Sequence, residues 1–170
     1  MLVAPILAAM LAIPQYAGDR GETLEQRTEL YRPVAAVIAE TARSREAAAA
    51  LVALAWHETK FARAVIEGHC DRMPADSRCD HGRARGVFQL WAVACRSAWA
   101  LPEGSPESLR AEARCAIGNL YSARNRCAVR AADINAGMFS GYRGASCLWP
   151  AAARRVQTMR EVLAVLRRWA

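Results

Sequence analysis

Lysine is nearly missing from this sequence. Lys60 is the only one in 170 residues, so the net charge of +7 is carried by arginine. Runs such as Arg154-Arg155 and Arg167-Arg168 are short and scattered over amphipathic patterns, the form of a solvated surface. That surplus also suits an anionic polymer, either nucleic acid or carboxylate-bearing cell wall. A basic helix face with interleaved aromatics is absent, as is any recognition motif, which argues against a nucleic-acid partner. Runs of β-branched residues are almost absent too. Ala-rich stretches alternate instead with Leu, Val and Ile at helical spacing, and this predicts an all-α fold. No repeat, low-complexity tract or linker divides the chain, so one domain is expected. Apolar residues make up 54% of it, enough to bury a core of useful size.

Cys-x-x-Cys pairs are also lacking. Six cysteines stand at 70, 79, 95, 115, 127 and 147, and an even count without close pairs points to three disulfides and an oxidising compartment. Fifteen pairings are open in principle. Cys70–Cys79 is the simplest, since it closes a polar loop holding Asp71, Pro74, Asp76 and Asp80. The other four can then pair as 95–115 and 127–147. A rival reading makes His69, Cys70, Cys79 and His81 a zinc site, but Cys70 and Cys79 lack the close spacing of a knuckle.

Residues 1–17 are apolar and uncharged apart from the α-amino group. They resemble a signal-peptide core without its basic preface, and with Pro5 and Pro14 they make a marginal membrane span. The segment up to residue 20 is therefore read as a leader, an anchor or a packing segment, capable of touching a membrane or a large assembly, ahead of a domain at 21–170.

Helices are expected from about Leu24 to Ala42, and from the N-cap Ser44 to about Lys60. A short helix is expected near Gly86 or Val87. Ser105-Pro106-Glu107 starts another helix that reaches about Arg126. A glycine-containing loop spans 136–148, and a last helix runs from Pro150 to Trp169 with Val156, Met159, Leu163 and Leu166 inward.

One residue breaks the second helix. Ala47, Leu51, Leu54, position 58, Phe61 and Val65 follow one another at helical spacing, and only position 58 is polar. It is Glu58. A carboxyl in an apolar stripe is expected to be desolvated and to hold its proton more tightly, which is what a general acid needs.

The segment Ala55-Trp56-His57-Glu58-Thr59-Lys60-Phe61 resembles the catalytic segment of lytic transglycosylases and related lysozymes, where an apolar-flanked Glu ends a helix. Arg85-Gly86-Val87-Phe88-Gln89-Leu90 resembles their second motif, a Gly followed by two apolar residues and a Gln. The stretch 136–144, centred on Phe139 and Tyr142, resembles their third. The order and approximate spacing agree over residues 25–165. Thr59 departs from the usual Ser, and Asn135-Ala136-Gly137 also partly matches the third motif.

The resemblance implies a lysozyme-like helical domain with disulfide-bounded loops, facing the cell wall in the periplasm or outside the cell, or carried on a virion. Its partner would be the peptidoglycan glycan strand, cut at the β-1,4 bond between N-acetylmuramic acid and N-acetylglucosamine. Glu58 would be the acid and then the base. Gln89, beside Gly86, would bind the sugar near the cut. Tyr142 would orient the Glu58 carboxyl, and Thr59 would contact substrate or fix the turn after Glu58. The product would be a 1,6-anhydro sugar, with a hydrolytic muramidase and a non-cutting glycan-binding module as alternatives. No metal or organic cofactor is implied.

Overall fold

The computed structural model describes residues 2–70, 83–142 and 146–169. It is an all-α domain with one small hairpin. In chain order it runs α1 (Val3–Ala12), a 3-10 turn (Ala17–Asp19), α2 (Leu24–Thr41), α3 (Arg45–Thr59), α4 (Arg63–Ile66), β1 (Ala84–Arg85), β2 (Leu90–Trp91), α5 (Arg96–Trp99), α6 (Pro106–Cys127), α7 (Ile134–Tyr142) and α8 (Ala152–Arg167).

Three helix starts are fixed by local chemistry. Thr23 and Gln26 cap α2 reciprocally, each side chain accepting from the other's backbone N–H. Ser44 accepts from Ala47 N–H at the head of α3, and Ser105 accepts from Ser108 N–H ahead of Pro106. α2 continues through Pro33, whose ring lies on the exposed side. The carbonyl it leaves without a helical partner therefore faces water.

α3 is the axis of the molecule. Every residue from Ala47 to Ala55 is buried, and α1, α2, α6 and α8 pack around it. Its run of alanines lets those helices approach closely, and a helix apolar on all sides is stable only when enclosed. From α8, Val156, Met159 and Leu166 enter the same core, with Leu163 half-buried at its edge.

Ile6, Leu7 and Met10 of α1 lie in the main core, and α1 packs on α2 and α8. Arg27 donates to the carbonyls of Leu11 and Ile13, and the Trp56 indole donates to Pro14. These bonds satisfy carbonyls that the end of α1 leaves open. No helix among the described residues is long and apolar enough to cross a membrane.

Cys95–Cys115 ties the segment after the hairpin to α6, and Cys127–Cys147 ties the end of α6 to the segment after α7. Both match the pairing considered from sequence. Bridges of this kind typically stabilise a small domain by about 2–4 kcal/mol. Cys70 is buried and also disulfide-bonded. Its expected partner Cys79 lies outside the described residues, as do His81, Asp71, Asp76 and Asp80.

Two expectations are corrected. The stretch from 136 is not a loop: α7 runs unbroken to Tyr142. Its glycines serve contact rather than flexibility. A Cβ at Gly137 would stand 2.7 Å from the Ala131 Cβ, and one at Gly141 would stand 2.9 Å from the Ala123 Cβ. Spaced four apart on one face, they let α7 lie directly against α6. Nor does a helix begin at Gly86. Ala84 pairs with Trp91 and Arg85 with Leu90 in an antiparallel hairpin whose turn is 86–89. Gly86 at φ 72° and Gln89 at φ 49° are left-handed, which no right-handed helix accommodates.

Candidate active site

Glu58 lies in the last turn of α3, where the buried axis reaches the surface. The chain turns sharply just after it. Lys60 and Phe61 are both left-handed, at φ 56° and 54°. Two successive non-glycine residues in that region store about 1–3 kcal/mol each, and such strain concentrates at functional sites. Thr59 holds the turn. Its hydroxyl donates to the Ala55 carbonyl and accepts from Phe61 N–H, and the residue is only 2% exposed. Of the two roles implied for Thr59, the geometry fits fixing the turn. Phe61 and Val65 are buried but beyond the helix, so the apolar stripe continues through a turn rather than along α3.

The apolar surroundings expected for Glu58 are not what it meets. Arg155 of α8 donates from Nη1 to Oε1 at 2.6 Å, and the two side chains are 4% and 12% exposed. The stripe is broken by an ion pair, and the partner lies too far along the chain for helical spacing to reveal it. Arg155 is itself stacked 4.8 Å from the centroid of the Trp149 ring.

Tyr142, at the end of α7, lies close enough to Glu58 for its phenol to feel the carboxylate charge. Tyr142 donates its hydroxyl to the Phe88 carbonyl at 3.0 Å, so its proton goes to the hairpin and not to the Glu58 carboxylate. Burial pushes the phenol upward, and the negative charge of Glu58 adds to the effect. Tyr142 therefore stays neutral and locks α7 to the hairpin beside Glu58. Gln89 is half-buried, and its Nε2 donates to the Gly86 carbonyl across the turn. Gln89 and Tyr142 are thus joined through the hairpin backbone, and Glu58 is linked to them only through its charge on the Tyr142 phenol.

Beneath the hairpin is an acid that the sequence patterns did not single out. Glu112 of α6 is 1% exposed. Its carboxyl accepts from Ser108 Oγ at 2.8 Å and from Val87 N–H at 3.1 Å, while Glu103 accepts from Gly86 N–H at 3.1 Å. The turn is thus held by two carboxyl groups on its amides. Arg85 anchors the first strand by donating to the Ala98 and Leu101 carbonyls. A Glu on the buried side of α6, three residues before Cys115, was the available signal.

Burial raises the Glu112 carboxyl from its ordinary 4.5 to about 7, against the lowering effect of its two hydrogen bonds. The folded state therefore favours the neutral acid. Its stabilising contribution is complete below the ordinary carboxyl range and is lost as pH rises through about 7. The full difference corresponds to about 3 kcal/mol. Glu112→Gln keeps an acceptor for Val87 and supplies a donor for Ser108. We expect this variant to lose less thermal stability than the wild type between about pH 5 and pH 9, as read by circular dichroism melts. Parallel melting curves across that range would show that Glu112 does not titrate in the fold.

His57 precedes Glu58 on α3, and Lys60 follows in the turn after the helix. The imidazole is pushed down to about 4, mainly by burial and then by Lys60 and Arg155, so it is neutral at pH 7. Its Nε2 lies 3.0 Å from the Thr158 hydroxyl, which itself donates to the Arg154 carbonyl. The hydroxyl therefore accepts from an Nε2–H. No family model matches the chain, and neither a characterised protein nor a solved structure does.

Proposed function

We propose that this chain is a peptidoglycan-cleaving enzyme with Glu58 as its acid and base, working in the periplasm or outside the cell. The carrying observation is the placement of Glu58. A carboxyl at the surfacing end of the most buried helix, 12% exposed, is followed by a strained turn and lies close enough to Tyr142 to act on its phenol. Glu58 would protonate the glycosidic oxygen as the bond breaks, and an oxocarbenium-like centre would develop on the muramic sugar. The deprotonated carboxylate would then remove the proton of the attacking hydroxyl. Gln89 sits at the hairpin tip, where it can meet the sugar. The disulfides fit an oxidising compartment.

The attacking group is proposed to be the muramic 6-hydroxyl, giving a 1,6-anhydro product. A hydrolase of this kind holds a water with a second carboxylate placed across the ring. Among the described acids, Glu67 is paired with Arg63, Glu112 is sealed under the hairpin and Glu161 accepts from Gln157. The tethered hydroxyl has the advantage of an intramolecular nucleophile.

Digestion of purified sacculi in heavy-oxygen water tests this reading. Anhydro-muramic ends free of label are expected. Label at the new muramic end would assign a muramidase instead. The 2.6 Å pair between Arg155 and Glu58 favours a second reading, a module that grips glycan without cutting it. Binding of sacculi with no released fragment would support that reading.

A further inference from the structure

Arg155 faces two neighbours. It pairs with Glu58, and it also lines a cleft of about 530 Å³ between the end of α3 and α8, within the roughly 300–1,000 Å³ of small-molecule sites. Trp56, His57 and Lys60 form one wall of this cleft, and Trp149, Arg154 and Arg155 form the other. Two of the cations are held in place by rings. The Lys60 Nζ stands 3.5 Å from the centroid of the Trp56 ring, and the Arg155 guanidinium is stacked on Trp149. Positioned this way they have little freedom left to lose on binding a ligand.

The charge in this cleft is unbalanced. Three cations line it. Glu161, which accepts from Gln157, is the one acid among the residues lining it, and Glu58 meets the cleft only through its bond from Arg155. The cations repel one another: Lys60 is held below its usual range by burial first, then by Arg155 and Arg154. Neutral His57 adds no charge but donates to Thr158. A cluster of like charges at a concave surface is relieved by an anion.

We propose that this cleft takes a carboxylate carried by the glycan substrate, and that the carboxylate competes with Glu58 for Arg155. An anion seated among Lys60, Arg154 and Arg155 draws the guanidinium toward the cleft and releases the Glu58 carboxyl. The Glu58 Oε1 then no longer accepts from the guanidinium and is open to the substrate. Substrate that lacks the carboxylate leaves the pair closed. The inference rests on the proposed glycan-cleaving function for its consequence, but the binding site and the competition stand on the geometry alone.

Competition between two anions for one cation is a negative coupling, and it is reciprocal. The test measures binding of free N-acetylmuramic acid, its methyl ester and inorganic phosphate to the purified full chain by calorimetry. The acid is expected to bind and the ester is not. Lys60→Gln combined with Arg154→Gln should weaken binding about tenfold or more, as loss of charge-assisted contacts does. Glu58→Gln should bind the acid several-fold tighter than wild type, and Glu58→Gln with Arg155→Gln should lose that gain. Equal affinity for acid and ester, or an unchanged affinity in Glu58→Gln, overturns the proposal. So does a gain that survives removal of Arg155. Phosphate binding tighter than the acid would overturn the choice of a glycan carboxylate. Cleavage of sacculi by a protein that fails these binding tests sinks this inference and leaves the enzymatic reading standing. A protein that passes them without cutting sacculi does the reverse.

Discussion

Glu58→Gln is expected to abolish release of fragments from purified sacculi while the protein stays folded. Gln matches Glu in shape but cannot deliver a proton, and loss of a general acid or base commonly costs about 10²–10⁴ in rate. The fold is expected to survive because the carboxamide oxygen can still accept from the Arg155 Nη1, and Trp149 still covers the guanidinium. Some stability will go. Breaking one side of a buried ion pair leaves a charge uncompensated, at a cost of about 3–5 kcal/mol when burial is complete. Glu58 is partly exposed, so the loss should be smaller. A far-ultraviolet spectrum like that of the wild type, with more than about a tenth of the activity retained, would remove Glu58 from the chemistry.

What could be read in advance was local. Ser44 and Ser105 mark helix starts because a capping side chain bonds a backbone amide two or three residues on, within reach of sequence inspection. The position of Glu58 in a helical stripe was legible for the same reason. Its partner was not, because Arg155 is 97 residues away and enters through the docking of α8 on α3. The hairpin escaped notice because two-residue strands carry almost no alternation. What defines it is the pair of left-handed residues, Gly86 and Gln89, and only the glycine advertises that conformation. Gly137 and Gly141 misled in the opposite sense. Glycines usually read as loop, but these two make room for α6, and that requirement is visible only once both helices are in place. Glu112 was hidden by its chemistry: a carboxyl is normally at the surface, and this one is buried to hold the amide of Val87.

Gly86→Ala is expected to destabilise the protein by about 2–4 kcal/mol, through a strained backbone and an overfilled site together. Gly86 sits at φ 72°, where a side chain is disfavoured whatever the space around it. The space is also closed. A Cβ would stand 2.1 Å from the Glu112 Oε2, and that carboxyl is fixed by Ser108 and Val87. Glu112 cannot retreat without stranding the Val87 amide, so the hairpin has to lift. For a domain of this length the midpoint of thermal unfolding should fall by about 5–15 °C. Shortening the acid separates the two causes. Glu112→Ala in the same chain opens the space but leaves the left-handed φ. The double variant should therefore lose less than the sum of the single changes, with a coupling of about 1 kcal/mol or more. Additive losses would mean that the contact is not the source of the strain, and a melt of Gly86→Ala matching the wild type would dismiss both. Because Tyr142 and Gln89 are fixed to this turn, lifting it moves both of these proposed site residues as well. Gly86→Ala should therefore lose lytic activity well below its melting temperature, as misplacement of about 1 Å is enough to cost about 10²-fold in rate.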